Sequence, residues 1–216
     1  MKIKSNFIPK QKVEYVTSGM SISEARRVLI QSGYRCIPVL DDKEERFVGL
    51  IYKETISDYM IDEKGPLSEP VSILAEDSEA FVSEEASFHK VLFSIRRLPF
   101  LAVNDEQGLF AGIVTHAKVM DILEDSYGLK KGGFSITVST TEGKGSLKKL
   151  FSAISDDYNI EGVFTQDTGK QFLRRVVITF NESMTLQQIE ELVPKVEGNG
   201  FKVAEIEDLR SLSAVK

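Results

Sequence analysis

The chain has 216 residues, 42% hydrophobic, 9% aromatic and 28% charged, a globular balance that excludes disordered and collagen-like classes. Lys and Arg number 27 against 33 Asp and Glu, and a formal net charge of −6 argues against a general nucleic-acid surface. No apolar run reaches the roughly 18 residues that span a bilayer, and MKIKSNFIPKQK lacks the apolar core of a signal peptide, so the expectation is a cytoplasmic chain without membrane insertion.

One cysteine, Cys36, gives no internal disulfide framework, and with only His89 and His116 no zinc spacing can be assembled. The charge is unevenly placed: residues 1–127 carry 15 basic and 21 acidic side chains, and residues 128–216 carry 12 of each. The pattern therefore predicts two units joined where YGLKKGG interrupts the apolar periodicity.

In chain order, a short strand is predicted at Val13–Val16, then a helix over EARRVLIQSG capped by Ser23, with Ala25, Val28 and Leu29 at helical spacing and Gly33 ending it. The segment GYRCIPVLDDKEERFVGLIYKETI at 33–56 follows, reading strand, acidic turn, strand and helix start. The same grammar returns in RRLPFLAVNDEQGLFAGIVTHAKVM at 96–120, preceded by a strand at Ala80–Val82 and a helix from Ser87 with Phe88, Val91, Leu92 and Ile95 on one face. Val39 aligns with Val103, Asp41 with Asp105 and Gly49 with Gly112. Two such units bury little alone, and packed face to face they create a core and a cleft.

On these residues, RCIPVLDD with FVGLIYKETI and LAVNDE with FAGIVTHAKV, the first half resembles a tandem pair of cystathionine-β-synthase (CBS) domains, an adenine-nucleotide-binding regulatory module. The repeats are read as 1–66 and 67–127. The family pattern after the acidic turn is Gly, two apolar residues, Thr or Ser, two variable residues and Asp. The resemblance implies that the Thr or Ser approaches phosphate and the Asp binds the ribose diol. Here Thr115 is kept and Lys118 stands at the Asp position, whereas the first copy has Tyr52 and Thr55.

After a linker at 128–133, residues 134–216 read strand FSITVST, turn TEGKG, helix SLKKLFSAISDD, strand IEGVFTQ, turn DTGKQ, strand RRVVITF, helix MTLQQIEELVPKV, turn EGNG and strand FKVAEIE. This is a βαββαβ, ferredoxin-like order, with Ser146 expected as the first helix's cap, Leu147, Leu150, Phe151 and Ile154 as its buried stripe, and Gly198 and Gly200 ending the second helix. With Gly145 at the first strand-to-helix turn, the unit resembles an ACT domain, which implies amino-acid binding or a dimerisation sheet. The expected class is thus α+β, a CBS pair followed by an ACT-like domain, an order that resembles acetoin utilization protein B relatives and the cyclic di-AMP-binding CBS proteins of Gram-positive bacteria.

Candidate ligand residues cluster on the repeat. Arg35 and Arg96–Arg97 precede the equivalent strands of an acidic half, and guanidinium forks suit phosphate. Tyr34, Cys36, Ile37, Pro38, Leu98, Pro99 and Phe100 flank the same strands, where a flat apolar slot with backbone polar groups suits adenine; core packing is the competing role, and for Cys36 a small buried apolar one. Tyr52, Thr55, Thr115 and Lys118 lie where helices begin, placing hydroxyls and N–H groups for a phosphate oxygen, or plain N-caps.

Loss of the diol-binding Asp points to a ligand without a free diol or with more negative charge. Cyclic di-AMP fits both, with AMP, ADP or ATP as alternatives. Neither histidine has a nucleophile or orienting carboxylate implied by spacing, so no enzyme is expected. Gly143-Lys144-Gly145-Ser146 lacks the earlier glycine of a phosphate loop, Val138 standing there, and is read as a turn whose N–H groups could meet a carboxylate. No cofactor is expected, only a nucleotide ligand. Unpaired sheet edges and internal pseudo-symmetry point to a homodimer that signals to a partner protein of unidentified kind; a ligand-free interaction module is the competing reading.

Overall fold

The computed structural model describes residues 2–4, 6–141, 143–154, 156–167, 169 and 173–214. The chain is α+β and forms two compact units, Met1–Val119 and Met120–Lys216.

In the first unit, β1 (Ile8–Pro9) leads through a 3-10 turn to β2 (Val16–Thr17) and α1 (Ile22–Ser32). Helix α1 starts two residues earlier than Ser23 would dictate: Ser21 is the cap, accepting from the Glu24 N–H while the Glu24 carboxylate accepts from the Ser21 N–H. This capping box satisfies two orphan donors and outcompetes a lone hydroxyl. Gly33 closes the helix in the left-handed region at φ 73°, as the pattern predicted. The first strand is shorter than expected, residues 13–15 lying outside it.

Strand β3 (Cys36–Leu40) then pairs antiparallel with β4 (Phe47–Tyr52), and α2 (Lys53–Ile61) follows directly. The second copy repeats this with β5 (Phe81–Ser83), α3 (Phe88–Ser94), β6 (Phe100–Asn104), β7 (Phe110–Thr115) and α4 (His116–Ser126). Even the irregularities recur: the register shifts between Val39 and Leu40 in one pair and between Val103 and Asn104 in the other. Ser87 caps α3, accepting from the Lys90 N–H as expected.

Each copy makes room for an incoming chain at one glycine. A Cβ on Gly49 would meet the Glu76 carbonyl oxygen, and Leu50 and Glu76 exchange backbone hydrogen bonds of 2.7 and 2.9 Å. A Cβ on Gly112 would collide with the Ile8 carbonyl oxygen, and β1 pairs there with β7. The segment leading out of the first copy thus lies on β4, and the segment leading into it lies on β7. Leu40, Ala102 and Phe110 form a joint core with Val13, Tyr15 and Phe47 packed against it.

In the second unit, β8 (Gly132–Thr141), α5 (Ser146–Ser152), β9 (Ile160–Asp167), β10 (Leu173–Asn181), α6 (Leu186–Gly198) and β11 (Lys202–Asp208) give a sheet in the order β11-β8-β10-β9, the ferredoxin-like arrangement. Ile136, Val138, Val176, Ile178, Phe180, Leu150 and Ile189 are buried in its core. Several details differ from the sequence reading. Gly145 at φ 83° is the cap of α5 and Ser146 its first residue. Leu147 is exposed, so the buried stripe rests on Leu150, Phe151 and Ile154. Helix α6 runs through Gly198 to a cap at Asn199.

The expected linker, 128–133, is a turn ending in the first residues of β8, and Gly128, Gly162 and the Tyr127 carbonyl meet closely. Tyr127 packs on Phe164 at 4.4 Å between ring centroids, which draws the boundary of the second unit back into α4. Much of the turn expected at 167–171, and Glu142 and Ser155 of the other expected elements, lie outside the described residues.

Gly112→Val forces a side chain into the β1 carbonyl. The expected cost is about 1–3 kcal/mol of overpacking, read as a lower urea midpoint together with faster proteolytic cleavage before residue 14. An unchanged midpoint would show that β1 pairing contributes nothing.

Candidate functional site

The register of the two hairpins fixes where side chains can meet. Cys36 pairs with Tyr52 and Phe100 with Thr115, so both strand starts lie beside a helix start. A cavity of about 290 Å³ opens there, lined by Tyr34, Arg35, Cys36, Ile37, Pro38, Pro99, Phe100 and Thr115, eight of the residues singled out in the sequence. Five more complete the lining: Ile8, Lys12, Val13, Glu14 and Ile113. Sequence reasoning missed Ile8, Lys12, Val13 and Glu14 because a two-residue strand and the irregular chain after it show no alternation, and Ile113 because alternation within β7 does not say which face lines a cavity. The one available signal was the glycine repeated at 49 and 112, which marks a chain lying across the strand.

An adjoining cavity of about 550 Å³ shares Arg35, Cys36 and Pro99 with the first and adds Tyr52, Lys53, Glu54 and Ser57. Tyr52, the cap residue of α2, supplies no side-chain cap, so that helix presents its N-terminal N–H groups without a side-chain acceptor from the cap position. Thr115 does supply one, accepting from the Lys118 N–H at 3.2 Å. Arg97 and Leu98 are placed elsewhere, lining a cavity of about 510 Å³ with Phe93, Ser94 and Arg96. Thr55 and Lys118 line none of the three. The Thr55 hydroxyl donates to Glu76 Oε1 at 2.6 Å, which ties α2 to the segment crossing β4.

The electrostatics follow from partial burial. The Cys36 thiol is pushed up to about 12 by burial first, then by Asp77 and Glu76, so it is neutral at physiological pH. Burial, and the hydrogen bond it donates to Asp77, raise the Tyr52 phenol. Lys12, Arg35 and Glu14 bring charge to the first cavity, and among the described residues none of these three side chains is held in an ion pair. The arrangement is an apolar slot with two cations and one carboxylate, suited to an aromatic ligand carrying anionic groups.

Residues 5–62 match the family model described as CBS domain. Among solved structures, a hypothetical conserved protein of Geobacillus kaustophilus is 29% identical, the match covering 57% of this chain and 96% of that one with a TM-score of 0.53. A CBS domain-containing protein of unknown function from Bacillus anthracis str. Ames Ancestor is also 29% identical, over 57% of this chain and 93% of its own, with a TM-score of 0.52. CbpB in complex with c-di-AMP shares the fold at 19% identity and a TM-score of 0.52, over 57% of this chain and 85% of that one. No curated protein matches the chain. The match at residues 5–62 and these likenesses give the chain the fold of CBS-domain proteins, ahead of a ferredoxin-like sheet.

Alkylation checks the thiol. With its titration moved from 9.0 to about 12, Cys36 should react with iodoacetamide at pH 8 at least about tenfold more slowly in the folded protein than in urea, because the thiolate is the nucleophile. Equal rates would mean the thiol is not desolvated.

Proposed function

We propose that this chain is a nucleotide-sensing regulatory protein whose first half, read as repeats 1–66 and 67–127, binds an adenine nucleotide in the cavity between β3 and β6. Cyclic di-AMP is the favoured ligand. The observation that carries the reading is the lining itself: an apolar slot from Ile37, Pro38, Pro99 and Phe100, with Arg35 and Lys12 beside it and a wider polar cavity adjoining through Arg35 and Cys36. A base fits the apolar part of the first space, and sugar phosphates fit beside its Lys12 and Arg35 and on into the second, at the α2 N-terminus where Lys53 and Ser57 also stand.

Two features favour the cyclic dinucleotide over AMP, ADP or ATP. Lys118 occupies the position where the CBS pattern places the diol-binding Asp, and cyclic di-AMP has no free diol to lose. A second phosphate, which AMP lacks, also suits a cavity with two cations that are in no ion pair among the described residues. CbpB, whose fold this chain shares, is solved with c-di-AMP. Ligand bridging the two repeats would select one arrangement of them, and that population shift is the signal offered to a partner protein. In this reading the ferredoxin-like unit is an ACT-like domain that dimerises or binds an amino acid, its Gly145 turn offering N–H groups, and the working form is a cytoplasmic homodimer.

Calorimetry against cyclic di-AMP, AMP, ADP and ATP tests the ligand. Saturable cyclic di-AMP binding is expected, and Arg35→Ala should weaken it about tenfold or more, since a charge-assisted hydrogen bond is worth about 1.5–3 kcal/mol; Arg35 is exposed, so the melting temperature should hold. Preference for a linear nucleotide would redirect the reading to an energy sensor. Silence across the panel would sink it, and thermal shift against amino acids would then examine the second unit.

A further inference from the structure

The first cavity contains a group that the phosphate chemistry above leaves unused. Among its described lining residues Glu14 is the one carboxylate, set on the irregular stretch between the 3-10 turn at Lys10–Lys12 and β2. Acidic groups nearby are already engaged. Glu44 accepts from the Tyr15 hydroxyl at 2.7 Å and its carbonyl from Lys10, Glu76 accepts from Thr55, and Asp77 accepts from Tyr52. Glu14 takes part in no hydrogen bond or ion pair among the described residues, although Lys12 stands two positions away and lines the same space.

An ionised carboxylate is an acceptor only. Beside a phosphate it is repulsive, and in a partly enclosed space that repulsion is screened less than in water. The chemistry it can satisfy in a nucleotide is therefore a neutral donor. The nucleoside has two kinds: the ribose 2′-hydroxyl, which cyclic di-AMP keeps, and the exocyclic amino group of adenine.

We propose that Glu14 is a specificity-determining residue of this cavity, accepting a hydrogen bond from a neutral O–H or N–H donor of the bound nucleoside. This rests on the nucleotide reading of the site. It assigns the two cations and the carboxylate different parts of one ligand: Arg35 and Lys12 meet charge, and Glu14 reads an uncharged edge. A site that leaves such an acceptor unpaired discriminates strongly against a ligand lacking the donor, because the carboxylate then loses water without compensation.

The test compares the parent protein, Glu14→Ala and Glu14→Gln by calorimetry with cyclic di-AMP, its 2′-deoxy analogue and its hypoxanthine analogue; AMP, 2′-deoxy-AMP and IMP serve if the parent prefers the linear nucleotide. The parent is expected to bind one of the two analogues about tenfold or more weakly than the natural ligand, and which one identifies the donor. Glu14→Ala should weaken natural-ligand binding by a similar factor and bind that analogue equally well. Glu14→Gln, which retains a carbonyl acceptor, should keep part of the discrimination. Since Glu14 is exposed and outside the strands, melting temperatures should match the parent. Unchanged affinity in Glu14→Ala, or discrimination that survives it, overturns the assignment while leaving the nucleotide site standing. Tighter binding in Glu14→Ala also overturns it, by showing that the carboxylate only repels phosphate. A parent that binds none of these ligands overturns the nucleotide reading, and this inference with it.

Discussion

The first unit depends on one steric constraint applied twice: a strand position without a Cβ, over which another stretch of chain passes. At Gly112 the crossing chain is β1, and at Gly49 it is the segment around Glu76. Each crossing supplies backbone hydrogen bonds to a strand that would otherwise be an edge, which removes an open pairing surface. The consequence at Gly112 reaches the cavity directly. Pairing of Ile8 and Pro9 with Ile113 and Gly112 carries the chain past Phe100 and Thr115, so Lys12, Val13 and Glu14 become part of the lining. Without that close approach the cavity would lose a wall and two of its three charged groups.

Much of this was legible in the sequence because the repeat doubles the information. The match of Val39 with Val103 and of Gly49 with Gly112 predicts equivalent hairpins, and the observed registers pair Val39 with Gly49 and Val103 with Gly112. Strand starts flanked by basic and aromatic residues led to Tyr34, Arg35, Pro99 and Phe100, which do line one cavity. Side-chain direction was not legible. Arg97 and Leu98 immediately precede Pro99 but leave a 3-10 turn at Ile95–Arg97 and face a different opening, because that tight turn rotates successive side chains apart. Thr55 and Lys118 occupy equivalent places in the two copies, yet one hydroxyl is claimed by Glu76 and the other side chain lines none of the cavities described. Local pattern marks the helix start; tertiary partners decide what the residue there does.

Capping shows the same division on a smaller scale. Ser23 looks like a cap because it precedes an apolar-periodic run, but Ser21 has Glu24 three residues on and makes reciprocal bonds with it. The two-residue pattern carries more free energy than the single hydroxyl, so the helix begins at Ile22. In α5 the competing force is backbone geometry. Gly145 at φ 83° takes a left-handed conformation that a serine would adopt only at a cost, which pushes Ser146 inside the helix.

The repeats share a backbone but not a chemistry, and this asymmetry gives the cavity its polarity. Position for position, Arg35 corresponds to Pro99 and Tyr52 to Thr115 through the common registers. The first copy therefore contributes a cation to this cavity and a raised, neutral phenol to the adjoining one, and the second contributes an apolar ring pair and a hydroxyl already accepting from the Lys118 N–H. A perfectly symmetric pair would offer two equal half-sites. Here the first copy contributes the Arg35 guanidinium where the second contributes Pro99 and Phe100, and Lys12 and Glu14 add charge from the chain that follows β1. An anionic group set against Pro99 and Phe100 side chains would lack a hydrogen-bonding partner, whereas the Arg35 guanidinium offers donors. Divergence of the two copies is thus what gives a cavity built from an internal repeat an unequal lining.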